Sequence, residues 1–338
     1  MNPSAEAVAV GVVLIVVMAA YALFAGADFG GGIWDLLAGG TVRGAKPRAA
    51  IDASVTPVWE GNHVWLIFGL VLSWTAFAPL FAAVMTALFV PLALSLLGIF
   101  LRGVGFAFRH EAARLRTRRL FGAIFAASSL IAPFFLGTVI GAVATGRVPV
   151  RPAGSVTAAW TTPTALMTGC LFVAACAYVG AVYLIADSDR RGQPDLVRYF
   201  SRRAVVAGLA TGVLAGINML LLRTSAPYVF GRLLGASLPL VVVSVAAGIT
   251  ALVLVLLGHT RTPRVAAGIA VATVVFGWGW AQYPWLIPGR LSLAEGSAPG
   301  GTLTAELVVA VLAGIIVVPS FGYLYWLQQH GRLEDGDH

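Results

Sequence analysis

Nine stretches of 16 to 25 residues are apolar along nearly their whole length, and that pattern leaves one kind of fold open. They run Val8–Ala27, Pro57–Ala78, Leu80–Leu101, Leu120–Ala144, Thr164–Ala186, Ala204–Leu222, Leu238–Leu257, Val265–Trp280 and Ala305–Trp326. A helix of about 20 residues crosses the hydrocarbon core of a bilayer. Lipid offers the backbone no hydrogen bonds, so continuous apolar runs of this length must be helices. The expected fold is an all-α polytopic membrane protein of about nine transmembrane helices, arranged as two four-helix bundles plus a peripheral ninth helix. Residues 1–145 would form the first bundle, 146–260 with 261–302 the second, and 303–338 the peripheral helix and tail. Glu6 and the lack of a basic leader before the first run argue that this run is retained and is not a cleaved signal.

The net charge of +8 raises the question of nucleic acid, and its distribution answers it. Seventeen of the 22 Lys and Arg residues fall in the links after runs one, three, five and seven or in the C-terminal tail. That asymmetry is a topology signal: it places the N-terminus outside and the C-terminus in the cytoplasm. It also supports the count of nine, because losing one span would scramble it. No nucleic-acid partner is expected. Trp278, Trp280, Tyr283 and Trp285 fit an outer aromatic belt, and Tyr323, Tyr325 and Trp326 an inner one. The longest links, 28–56 and 281–304, are too short for an inserted soluble domain. Runs one to four and five to eight share an orientation, and the lead run of each set ends near an acid, Asp28 and Asp187. A faint internal repeat is therefore a hypothesis.

Several chemistries are excluded or disfavoured. There is no G-x-x-x-x-G-K-[ST] loop for nucleotide phosphates. Gly30-Gly31-Gly32 follows a hydrophobic helix, without the strand that a dinucleotide site needs, so it reads as a hinge or a close-packing element. Cys170 and Cys176 are six apart, on different faces of one helix, and read as small buried hydrophobes. His110, His259, His330 and His338 lie in links or the tail, leaving His63 as the histidine in or near a span. A lone histidine with scattered methionines is a poor ligand set for several haems. No metal or cofactor is expected on this chain alone.

The informative polar residues cluster near Pro57-Val58-Trp59-Glu60-Gly61-Asn62-His63-Val64-Trp65-Leu66. From Val64 to the residue before Pro79 is about 22 Å of helix, short of the ~30 Å hydrocarbon core. A spanning helix bounded by Pro79 must therefore start near Pro57, which puts Glu60 and His63 inside the membrane's inner edge. Ionisable groups there are costly and point to function. The alternative is a helix that continues past Pro79, with Glu60 only capping it. Glu60 and His63 are three apart and share a face, so the pair could relay a proton; equally, they could form a polar knot pinning two helices. Asp28 is expected at the inner end of span one. Arg102 is expected to stop span three at the same side, as a neutralising partner or a snorkelling anchor. Asn218 is expected to donate a hydrogen bond between helices, and Glu306 to act as an interfacial cap.

Three motifs in order, Gly26-Ala27-Asp28-Phe29-Gly30-Gly31-Gly32, Trp59-Glu60-Gly61-Asn62 and Phe100-Leu101-Arg102-Gly103-Val104-Gly105-Phe106, resemble subunit II of cytochrome bd-type quinol oxidases, including the cyanide-insensitive branch. The resemblance implies a haem-free subunit that stabilises a partner, subunit I, carrying the quinol site and the haems, b-type with haem d or a b-type variant. It implies a complex that oxidises quinol, reduces oxygen to water and builds a proton gradient without pumping, in the bacterial cytoplasmic membrane. A small single-helix accessory subunit and membrane lipids are further expected partners. The family's proton route, carried by the acid of the Trp-acid-Gly-Asn block, maps onto Glu60, and the aspartate and arginine of the other two motifs map onto Asp28 and Arg102. Asp28 and His63 join Glu60 in the expected proton path, with Trp59, Asn62 and Arg102 in support; the His63 imidazole could add a second relay point or merely hydrogen-bond. Glu60, His63 and Ala107 stand where some members have Asp, Gln and Asp. Rival readings are a secondary transporter with its site at Asp28 and Glu60, and a pure assembly scaffold.

Overall fold

The computed structural model describes residues 2–40, 42–55, 59–111, 114–151 and 157–329, with the backbone alone at 55, 59, 60, 110, 115, 325, 328 and 329. Pro57, Val58 and the tail with His330, Arg332 and His338 lie outside the described residues. In chain order the helices are α1 (Ala5–Leu36), α2 (Ala45–Val55), α3 (Trp59–Ala76), α4 (Ala78–Ala87), α5 (Phe89–Glu111), α6 (Leu115–Ala144), α7 (Pro163–Arg190), α8 (Pro194–Ser225), α9 (Pro227–Leu233), α10 (Leu238–Leu256) and α11 (Thr262–Gln282). A two-stranded antiparallel hairpin follows, β1 (Trp285–Ile287) and β2 (Leu291–Ser292), then α12 (Leu293–Gly296) and α13 (Gly300–Gln329). Among the described residues, eight helices are long and apolar enough to cross a membrane, or nine if the bent pair α3–α4 is counted as one span. The outward faces of α8, α10 and α13 are apolar, with Val213, Val245, Ile249, Val311 and Ile315 exposed, as lipid contact demands.

Two boundaries differ from the sequence expectation. Span one does not end at Asp28, because α1 continues to Leu36. Glycine is a weak helix former, but Gly30 and Gly32 are used here for contact. A Cβ on Gly30 would lie 2.0 Å from the Cys176 carbonyl oxygen and 2.8 Å from Gly180 Cα. One on Gly32 would lie 2.0 Å from Ser129 Oγ. The glycine run is thus a close-packing element against α7 and α6, inside an unbroken helix.

Span three is also displaced. The chain bends by 117° between α3 and α4, at Phe77 just before Pro79, so α3 starts near Pro57 as the length argument requires. A second break at Leu88 separates α4 from α5. The spanning helix is therefore α5, and Arg102 sits inside it instead of ending it. Apolarity alone ran across that break.

α1 is the central element, packing against α3, α6, α7, α11 and α13. α5 lies along α6, α7 along α8, and α10 along α11. Gly137 and Gly141 of α6 meet Thr168, Gly169 and Ala165 of α7 at backbone distance. The link 28–56 holds α2, which Arg191 at the end of α7 fastens through the Ala50 and Ala53 carbonyls (3.3 and 2.9 Å). At the opposite end, α4, α12 and the hairpin close the fold through Leu80, Ile287 and Leu293. Cys176 is buried as expected, whereas Cys170 is exposed.

Candidate functional site

The first site feature follows from α1 carrying an acid where α5 carries a base. Asp28 and Arg102 are both buried, and the guanidinium meets both carboxylate oxygens at 2.7 Å. A second N–H reaches the Asp28 carbonyl at 3.1 Å, and Nε donates to Ser129 Oγ of α6 at 3.0 Å. The cation also lies over the Phe29 and Phe125 rings, 5.4 and 4.8 Å from their centroids. A buried charge is tolerable when it is paired and fully hydrogen-bonded. Arg102 is therefore no snorkelling anchor: it ties α1, α5 and α6 together.

Seven residues further along both helices the arrangement recurs. Arg109 of α5 donates to Asp35 of α1 at 2.5 Å and also pairs with Asp52 of α2. Arg48 of α2 reaches the other Asp35 oxygen at 2.8 Å. Seven residues are two helical turns, about 10 Å, so the two tiers stack along one seam. Phe125 stands between them, its ring 4.8 Å from each guanidinium carbon. Cations favour aromatic faces, and one ring here serves two. Asp35, Asp52, Arg48, Arg109 and Phe125 did not figure among the sequence candidates. The equal spacing, Asp28 to Asp35 and Arg102 to Arg109, was the signal that could have found them.

The start of α3 is brought to the level of the first tier. Asn62 is buried and donates from Nδ2 to the Phe24 carbonyl of α1 at 3.3 Å. The half-buried His63 ring stands 6.1 Å from Tyr21 and 6.4 Å from Phe29, both on α1. α1 continues well beyond these contacts to Leu36, so α3 begins deep inside the fold. Glu60 lies in the first turn of α3; its side chain, like that of Trp59, lies outside the described residues. The structure thus gathers Asp28, Asn62, His63 and Arg102 into one region and places the backbone of Trp59 and Glu60 beside it. Asn218 of α8 is far along the chain in a separate contact, where its Oδ1 accepts from Thr168 Oγ1 at 3.2 Å. It is an acceptor there and not the expected donor.

Among the described residues no group of three or more His, Cys, Asp and Glu could hold a metal ion. The half-buried His63 ring has Tyr21 and Phe29 beside it, at 6.1 and 6.4 Å between centroids.

Residues 7–328 match the family model described as cytochrome bd terminal oxidase subunit II. A putative cytochrome bd menaquinol oxidase subunit II of Bacillus subtilis (strain 168) is 21% identical over 320 residues, covering 90% of each chain. A cytochrome bd ubiquinol oxidase subunit 2 of the same organism is 27% identical over 128 residues, 38% of this chain and 37% of the relative. The cytochrome bd-I ubiquinol oxidase subunit 2 of Escherichia coli (strain K12) is 30% identical over 132 residues, 39% of this chain and 33% of the relative. These last two matches thus span about a third of the relatives' lengths. The fold resembles a chain in the structure of bd oxidase from Geobacillus thermodenitrificans, with a TM-score of 0.75 at 20% identity, over 96% of this chain and 98% of that one.

Proposed function

Since the chain belongs to the cytochrome bd terminal oxidase subunit II family, we propose that it serves a quinol-oxidising, oxygen-reducing membrane complex as its haem-free subunit. The haems, b-type with haem d or a b-type variant, and the quinol site belong to the partner, subunit I, which this chain stabilises. A small accessory helix and membrane lipids complete the assembly. The basic links place the N-terminus outside and the C-terminus in the cytoplasm of a bacterial inner membrane. Residues 1–145 and 146–302 are taken as two four-helix bundles, with 303–338 peripheral.

Within that assembly the chain supplies part of the proton route from the cytoplasm, with Glu60 as its principal carrier and His63 as a second relay point. The observation that carries this reading is the depth at which α3 begins, level with a buried ion pair, so that an acid in its first turn sits where ionisable groups are costly. Asp28 takes a different part. Both its oxygens are held by Arg102, so it acts as a fixed charge that sets the local field, while Asn62 holds the α3 start in place. The same bidentate pairing argues against a transporter site there, since the Asp28 charge is already neutralised by Arg102. Removing a single relay group costs a general acid–base step about 10²–10⁴-fold. Glu60→Gln in the assembled complex is therefore expected to slow quinol-driven oxygen uptake by about that factor, while Glu60→Asp keeps most of it. Unchanged uptake by Glu60→Gln across the pH range would leave the chain a scaffold.

A further inference from the structure

Tyr21 is almost fully buried in α1, and its hydroxyl has no hydrogen-bond partner among the described residues. Nδ1 of His63, on the facing helix α3, is likewise buried and unpartnered. A buried polar atom without a partner is costly, because it has given up water for nothing. A phenylalanine at position 21 would fill the same space at no such cost. The two rings are 6.1 Å apart between centroids and inclined at 46°. The hydroxyl and the ring nitrogen lie on the edges of these two neighbouring rings, each without a partner among the described residues.

We propose that Tyr21 is the positioning residue for His63, its hydroxyl serving Nδ1 of the imidazole in both protonation states. A tyrosine hydroxyl both donates and accepts. Toward the neutral ring its oxygen accepts from Nδ1–H and so fixes the tautomer whose Nε2 is free to take up a proton. Toward the protonated ring it keeps the same bond, while Nε2 carries the added proton. One group thus satisfies the histidine before and after it gains a proton, which a relay in a buried site requires. No bond of the tyrosine itself is made or broken. Among the described side chains, the other charged groups facing His63 are Asp28 of α1 and Arg102 of α5, which neutralise each other. Glu60 shares its helix, and α13 presents Phe321 to the adjacent Gly61. Tyr21 also extends a register already seen: it precedes Asp28 by the same seven residues that separate Asp28 from Asp35.

The functional part of this inference rests on His63 lying on the proton route; the hydrogen bond does not. The purified complex, labelled with ¹⁵N-histidine, tests it, with the His63 signals assigned by their loss in His63→Gln. Tyr21→Phe is expected to shift the Nδ1 resonance to that of an unbonded ring nitrogen, and to alter the pH profile of oxygen uptake while quinol KM stays unchanged. An unmoved Nδ1 resonance overturns the proposal, whatever Glu60→Gln does to turnover. If Nδ1 moves but Glu60→Gln leaves uptake unchanged, the hydrogen bond stands and the proton route falls. Should Tyr21→Phe fail to assemble, 3-fluorotyrosine incorporated throughout the wild-type complex reads the same bond. Its more acidic hydroxyl must shift the His63 Nδ1 signal, and no shift overturns the proposal equally.

Discussion

The two halves of the chain hold their helices together by different chemistry. In the first, α1, α5 and α6 meet across buried ion pairs, Asp28 with Arg102 and Asp35 with Arg109. In the second, α7 and α8 meet through neutral groups. Thr164 Oγ1 and Ser225 Oγ are 2.6 Å apart, and Thr168 donates to Asn218. Among the described residues, the ion pairs of that half lie near helix ends: Asp187 with Arg190 and Asp195 with Arg198 within single helices, and Asp189 with Arg261. Small residues bring helices to backbone contact in both halves. A helical membrane bundle therefore does not require charge in its interior, and the half that buries charge does so beside the start of α3. Burying an ion pair seldom adds net stability over apolar packing, so its confinement to the motif-bearing half associates it with function.

Breaking one partner of each kind of contact sharpens that contrast. Arg102→Met strands the Asp28 carboxylate, and such a loss costs about 3–5 kcal/mol. The expected outcome is a large fall in the thermal midpoint and yield of the complex, and Asp28→Leu added to it should restore most of both. Stability equal to wild type in the single variant would mean that the pair holds nothing together. Asn218→Leu in the second half removes a neutral interhelical bond, worth about 0.6 kcal/mol and at most about 2. Its midpoint should move far less than that of Arg102→Met, and a comparable fall would erase the distinction between halves.

The smallest effect belongs to the exposed capping box of α12, in the link before α13. There Glu295 accepts from the Ser292 hydroxyl at 2.7 Å and from its backbone N–H at 3.1 Å. These bonds, the side-chain one first, hold its carboxyl below the usual glutamate value. A carboxylate with a lowered folded pKa stabilises above its unfolded value, near 4.3, and loses that contribution as pH falls through the folded one. Glu295→Gln should flatten this part of the acid dependence of thermal stability and leave stability at neutral pH nearly unchanged. A large change at neutral pH would show that the cap matters more than its exposure implies.

The spans were legible because run length and hydrophobicity dictate them, and all nine stretches lie largely within helices. What escaped was what happens inside a helix. Asp28 and Arg102 are charges of the kind that end a span, yet both helices run past them. Tertiary contact overrides that signal when a neighbour supplies the opposite charge. The bend at Phe77 was legible through Pro79, but the break at Leu88 was hidden within one continuous apolar run. Glu60, His63 and Asn62 were found because polar groups next to a short apolar run are conspicuous. Tyr21 was not, since a tyrosine in an apolar helix looks like packing until its hydroxyl is found without a partner.

The ion pairs also set a clock for the newborn chain. Asp28 and Arg102 are 74 residues apart, as are Asp35 and Arg109. At about 5–20 residues per second of synthesis, each acid waits roughly 4–15 s for the base that will neutralise it. During that interval α1 enters the membrane either with protonated carboxyls or with this stretch held at the wet interface. The helix that anchors the finished molecule is thus made first, yet can settle at its final depth only after α5 has emerged.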